Sequence, residues 1–459
     1  MATNRGAKII AVVIGTAVLV LPALINGFPF VYSDTGTYLS SAVTGYLPYD
    51  RPYWYGGFMG LITGHGRTLW PMVAVQTLLC AAYTLRTARL VLGSSLKLAR
   101  SVQLIVGLTA FSSVAWYASL LIPDIFTGLG LLAAFGMMHP RSGWLGRLCD
   151  ALMMAAAIWF HASNLIILPL AMIAMLFIQR RDGWSAKRIR AWHGALAFAV
   201  AIGGLAIGHG VLTGRAYLTS GSHVFLMGRM IDTGMLSPYL KEHCPGWEIC
   251  AYAESLPPHS QDFLWAGTSP LAKQGGWEKT KDEYGTIVRG SFTEPKYLLW
   301  HVRGSIASTV QQLGEWRICR DLQSQWYRVP DSAPRMSIKA NAPHLEDAFM
   351  GAMQNGGRGE LRMAVPDWTY RIGLLVALLV CAWALLRDRA ADGTEVRRFM
   401  AFALVSVLIG AWACASLSVV DPRYLGRDSW LVVLAAMLWW LQRRARPVSP
   451  PTPPVARSA

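Results

Sequence analysis

The stretch DALMMAAAIWFHASNLIILPLAMIAMLFIQ, residues 150–179, is apolar over almost its whole length. As a single helix rising 1.5 Å per residue it would run about 45 Å, well past a bilayer hydrocarbon core of about 30 Å. His161, Ser163 and Asn164 interrupt its middle. Two short helices meeting at that polar turn fit the stretch better than one long helix. The choice also sets parity, because two crossings put Arg141 and Arg147 on the same side as Arg180 and Arg181.

The rest of the chain has the same character. Of 459 residues, 53% are hydrophobic and 15% charged, against about 25% charged in an ordinary soluble domain. Besides 150–179, apolar runs at 8–27, 69–85, 102–121, 125–138, 193–212, 370–386, 399–420 and 430–442 read as spans. Counting the split stretch as two, the sequence predicts an all-α polytopic membrane protein with about ten transmembrane helices. Cytoplasmic loops are enriched in Lys and Arg. With the N-terminus inside, the cytoplasmic segments hold 21 of the 42 basic residues and five of the 26 acidic ones. The whole net charge of +16 is thus an orientation signal, and no nucleic-acid partner is expected.

This reading divides the chain into an N-terminal membrane region, 1–212, of about seven spans with an outer loop at 28–68, and a large extracytoplasmic loop, 213–369. A C-terminal membrane region of three spans, 370–442, and a disordered Pro-rich cytoplasmic tail, 443–459, follow. Short helices and irregular structure, rather than a sheet, are expected in 213–369. No small-residue cleavage site follows the first apolar run cleanly, so that run is expected to stay as an anchor. The expected location is a bacterial-type inner membrane, with both termini cytoplasmic and the large loop periplasmic or extracellular. Cys244 and Cys250 flank a five-residue loop and are disulfide candidates in that oxidising compartment. Cys319 competes for either thiol, and a zinc site using His243 is the other reading.

Several polar residues are not explained by membrane insertion. Asp34, in Tyr32-Ser-Asp-Thr-Gly-Thr-Tyr38, follows the first span directly. Its carboxylate suits a general base on an acceptor hydroxyl, a ligand for a divalent cation, or an N-cap for the next short helix. Asp50-Arg51-Pro52 lies in an aromatic-rich segment, and Arg51 suits either a phosphate or a salt bridge to Asp50. Asp124, after Ile122-Pro123, reads as a cap for the following helix or as part of a site. His161, with Ser163 and Asn164, is either a functional group or a buried hydrogen-bonding one. The last outer loop is Asp421-Pro-Arg423-Tyr424-Leu-Gly-Arg427-Asp428, whose two Arg residues oppose the positive-inside bias. They call for an anionic partner, either a protein acid or a lipid phosphate.

The pattern of an early outer acid (Asp34), Asp50-Arg51-Pro, short central helices with polar turns (Pro123-Asp124, His161-Ala-Ser-Asn164) and a late Arg423-Tyr424 pair resembles the GT-C superfamily of membrane glycosyltransferases. The resemblance covers roughly 1–212 and 370–442. It implies a polyprenyl-phosphate-linked sugar as donor, membrane lipid as surroundings, Asp34 as base, and Arg51, Arg423, Arg427 and Tyr424 around the donor phosphate. Asp50, Asp124, His161 and Asn164 would be supporting residues. It requires no cofactor beyond a possible divalent cation, assigns no metal ligands, and names no protein partner. Envelope glycan, lipid and protein acceptors all fit. A polysaccharide polymerase or ligase using diphosphate-linked glycans, and a non-enzymatic transporter or flippase, are the competing functions.

Overall fold

The computed structural model describes residues 5–93, 96–179, 184–323, 326, 329–388 and 395–445, and every regular element among them is a helix. Arg180, Arg181 and the tail from Arg446 lie outside the described residues. The N-terminal helices are α1 (Arg5–Leu19), α2 (Leu21–Asn26), α3 (Thr35–Thr44), α4 (Trp54–Thr63), α5 (Trp70–Leu92), α6 (Leu98–Phe111), α7 (Val114–Ala118), α8 (Ile125–Met138), α9 (Trp144–Phe160), α10 (Asn164–Ile178) and α11 (Trp184–Thr213). Next come α12 (Ser222–Asp232), α13 (Leu236–Glu242), α14 (Ser260–Trp265), α15 (Pro270–Lys273), α16 (Gly276–Lys279), α17 (Lys281–Thr293), α18 (Pro295–Leu313), α19 (Ala333–Asn341) and α20 (Glu346–Met350). The chain returns through α21 (Ala364–Leu386), α22 (Glu395–Leu417) and α23 (Pro422–Ala445).

Among the described residues four segments are long and apolar enough to cross a membrane: Arg5–Asn26, Arg188–Thr213, Ala364–Leu386 and Glu395–Leu417. Shorter apolar helices, α6, α8 and α10, pack among them. The stretch 150–179 is broken where its polar residues stand. α9 stops at Phe160, His161 adopts extended backbone, and α10 begins at Asn164. The buried Asn164 amide donates to Ala157 O at 2.8 Å, a carbonyl that also accepts from His161 N, and so ties the start of α10 to the last turn of α9.

One expected span and one expected loop are corrected. The run 102–121 is not one helix: α6 ends at Phe111, Ser112 is extended, and only the short α7 follows. Hydropathy does not register the local side-chain bonding at this end, where Leu108 O accepts from both Ser112 Oγ, at 2.6 Å, and Ser112 N. Irregular backbone buried among apolar helices needs partners from elsewhere in the protein. The fully buried Gln76 supplies them, donating to Ala118 O and Leu120 O at 3.0 Å each. Phe30 supplies the rest, accepting from Leu121 N and donating to Ser119 O. The second correction concerns 421–428, which is not a loop. Pro422 opens α23, so Arg423 and Arg427 stand one turn apart on the last helix.

The segment 213–369 is built of short helices with irregular connections, and it packs on the apolar helices: α18 lies against α22, and α19 against α3. Separate polar pairs join the segments expected to be cytoplasmic. Arg86 is bidentate to the buried Asp150 at 2.7 Å and also reaches Ser142. His139 lies 3.1 Å from Glu395, and Arg443 3.3 Å from Asp388.

Candidate active site

Asp34 is fixed by the chain that leads to it. α2 ends on Gly27, whose φ of +82° is a left-handed conformation that favours glycine. Both backbone groups of Val31 are then held by the Gln354 side chain, at 3.0 and 2.7 Å. Tyr32 N donates to Thr35 Oγ1 at 2.9 Å. Beyond Asp34, α19 comes so close that a Cβ on Gly36 would meet Ala333 O at 2.6 Å. Asp34 occupies the N-cap position of α3, yet its side chain makes no capping bond.

Its two oxygens face guanidinium groups instead. Oδ1 is 2.8 Å from Arg51 Nη1, and Oδ2 accepts from Arg423 Nη1 at 2.8 Å. Arg51 also donates to Asp50 Oδ2 from Nε and Nη2, at 2.8 and 2.6 Å. Burial pushes the Asp34 carboxyl up, but Arg51 and Arg423 outweigh it and hold the group well below the usual carboxylate range. About a fifth of the Asp34 side chain, 21%, remains accessible, so the clamp does not seal it off.

Behind this pair lies a second charged layer. Asp124 Oδ1 is 3.6 Å from Arg423 Nε and 3.9 Å from Arg427 Nη1. Asp124 sits at the start of α8 without capping it. Arg427 is fully buried and contacts His161 Nε2 at 3.3 Å, Ser163 Oγ at 3.2 Å and Cys414 Sγ at 2.9 Å. A guanidinium only donates, so His161 Nε2 faces a donor, while its Nδ1 lies 2.9 Å from Ser163 Oγ and 3.3 Å from Ser163 N. The Tyr424 ring lies between Arg423 and Arg427, 4.9 and 5.1 Å from them, while Tyr32 takes Arg423 at 4.7 Å. These cation–π contacts leave the two guanidiniums little freedom.

Asp34, Asp50, Arg51, His161, Arg423 and Tyr424 all line one cavity of about 1140 Å³. Asp124 and Arg427 stand behind it, and Asn164 serves the helix break. One wall is apolar, made by Leu165 and Ile166 of α10, Leu212 of α11 and Leu417 of α22. No family model, curated protein or solved structure matches the chain. The geometry therefore carries the functional argument alone. The cavity also contains Arg320, Trp265 and Trp277, which sequence reading did not single out. Arg320 forms no ion pair with a described residue, unlike Arg51 and Arg423.

A divalent cation does not fit these residues. Among the described residues no three His, Cys, Asp or Glu side chains gather as metal ligands, and both oxygens of Asp34 are committed to arginines. The zinc alternative at His243 is overturned as well. Cys244 and Cys250 are joined in a disulfide, Cys319 is buried outside that pair, and His243 lies 3.0 Å from Glu294.

Proposed function

We propose that the chain is a membrane glycosyltransferase of the GT-C kind, moving a sugar from a polyprenyl-phosphate donor to an acceptor on the extracytoplasmic face of a bacterial-type inner membrane. The observation that carries this reading is a carboxylate gripped by two arginines at the junction of a polar and an apolar cavity wall. An amphiphile with an anionic head and a hydrocarbon tail suits that junction. The donor phosphate competes with Asp34 for Arg51 and Arg423, and Arg320, which pairs with no described residue, is a further cation. Once the arginines turn to phosphate, Asp34 is a stronger base. It then takes the proton of an acceptor hydroxyl while that oxygen bonds to the anomeric carbon. The bond from that carbon to the phosphate oxygen breaks, and its electron pair leaves with polyprenyl phosphate. Arg51 and Arg423 stabilise the charge that develops there.

The direct test is transfer by the purified protein in proteoliposomes from a polyprenyl-phosphate-linked sugar, read as release of polyprenyl phosphate. No release above protein-free vesicles sinks the reading. The pH profile adds a signature. In the free protein Asp34 is depressed, so it remains ionised below its ordinary 3.8 and kcat/KM shows no acid limb from it down to about pH 4. With phosphate holding the arginines, the same carboxyl rises, and kcat falls off at a higher pH than kcat/KM.

The ten-span topology belongs to the same proposal. It is supported by ion pairs linking segments assigned to one side, Arg86–Asp150, His139–Glu395 and Arg443–Asp388, and by the separate outer set around Asp34. The native cysteines test it. Cys149 is exposed, whereas Cys80, Cys319, Cys381 and Cys414 are buried. An impermeant maleimide added outside intact cells should label Cys244 and Cys250 after mild reduction and spare Cys149. The opposite pattern reverses the orientation.

A further inference from the structure

We infer that the cavity wall formed by Trp265, Trp277, Phe225 and Gln261 seats a sugar ring of the acceptor, making the acceptor a glycan rather than a lipid or a protein. This rests on the transferase reading for its purpose, though not for its chemistry. All four residues line the same cavity as Asp34. Trp265 and Trp277 have ring centroids 5.3 Å apart, and Phe225 meets Trp277 edge-on at 5.1 Å. Trp265 is nonetheless 48% exposed, which leaves a broad aromatic surface open in a wall that is otherwise packed.

The polar groups beside these rings distinguish the ligand class. Gln261 is exposed, the Tyr49 hydroxyl on the same cavity is buried, and neither makes a side-chain hydrogen bond to a described residue. Ser222 and Thr219 add hydroxyls to the lining. A hydrocarbon chain gains nothing from amides and hydroxyls at this spacing. A pyranose has an apolar C–H face that lies against the electron-rich face of an aromatic ring, with hydroxyls at its rim to meet such groups. A few polar groups set into an aromatic pocket are the usual means of orienting a small ligand.

The wall is tied to the proposed chemistry by Arg51. Its guanidinium lies 6.0 Å from the Trp265 ring centre and 2.8 Å from Asp34. A ring seated on Trp265 is therefore one side chain away from the carboxylate. The aliphatic part of the lining, Leu165, Ile166 and Leu417, is left for the donor's tail. The two substrates then approach Asp34 from different walls.

The test is binding, measured calorimetrically on the full chain in detergent with cellohexaose, maltohexaose and chitohexaose as probes and no donor present. At least one hexasaccharide should bind the wild-type protein. Trp265→Ala should weaken that binding about tenfold or more, equivalent to about 1.4 kcal/mol, while Trp265→Phe stays within about threefold. Gln261→Ala, at an exposed position, gives a second reading should Trp265→Ala fail to fold. Failure of all three glycans to bind, or Trp265→Ala and Gln261→Ala both binding as wild type, overturns the proposal. Glycan binding without any sugar transfer would instead overturn the transferase reading and leave this site standing.

Discussion

Replacing Asp34 with Asn should lower kcat by about 10²- to 10⁴-fold, the usual contribution of a positioned general base, while tightening the binding of polyprenyl phosphate. The two effects have one cause. Asp34 neutralises Arg51 and Arg423 in the resting protein, so removing its charge removes both the base and the phosphate's competitor. A lost charge-assisted bond of this kind is worth about 1.5–3 kcal/mol, and the expected tightening is about tenfold or more. A variant that merely misfolds loses turnover and binding together, so the opposite signs separate a chemical role from a structural one. Retained turnover removes Asp34 as the base. Lost turnover with weakened lipid-phosphate binding means that Asp34 organises the arginines and does no more.

That pair of arginines shows where sequence reasoning reached and where it stopped. Hydropathy found the apolar runs, and the polar trio at His161, Ser163 and Asn164 placed the break between α9 and α10, because a helix end needs groups of that kind. The unusual outward arginines were legible too, since positive-inside bias gives no reason for them. The partners were not. Arg423 meets Asp34 across 389 positions; an acid of another loop is among the partners the sequence leaves open, but nothing in it selects Asp34 over the nearer Asp421 and Asp428. Asp421 is used instead by the backbone, accepting from Arg423 N at 2.9 Å. This bond and Pro422 together form a helix-start signal that was present in the sequence, and reading it would have moved Arg423 and Arg427 onto α23.

The break after Phe111 was beyond any window average, because it depends on Gln76 thirty-five residues earlier completing the hydrogen bonds of a non-helical segment. This irregular segment in turn pairs with Phe30, four residues before Asp34. The feature least visible in the sequence therefore helps to set the position of the residue most visible in it. Arg320 and the Trp265–Trp277 wall lie in the 213–369 segment, where composition gives no periodic pattern. Their relevance comes only from facing the same cavity.

The second large effect is expected at Asp124. Its side chain is buried, with Arg423 and Arg427 at 3.6 and 3.9 Å, and Arg427 is itself wholly inaccessible. Asp124→Ala leaves the buried Arg427 with no acid within 4.0 Å among the described residues, its remaining close contacts being His161, Ser163, Cys414 and the Tyr424 ring. Breaking a buried pair by removing one partner costs about 3–5 kcal/mol, so this variant should unfold at a markedly lower temperature in detergent, followed by tryptophan fluorescence. Had Asp124 served as a helix cap, the loss would be about 1 kcal/mol. A double-mutant cycle completes the argument. Asp124→Leu combined with Arg427→Met removes both charges and retains apolar volume, and such replacements are often neutral. The double variant should therefore be more stable than Asp124→Ala, with a coupling of about 0.5–3 kcal/mol between the two positions. Strict additivity would mean that Asp124 does not compensate Arg427. The support proposed here for the Asp34–Arg423 clamp would then have to come from the Tyr32 and Tyr424 rings alone.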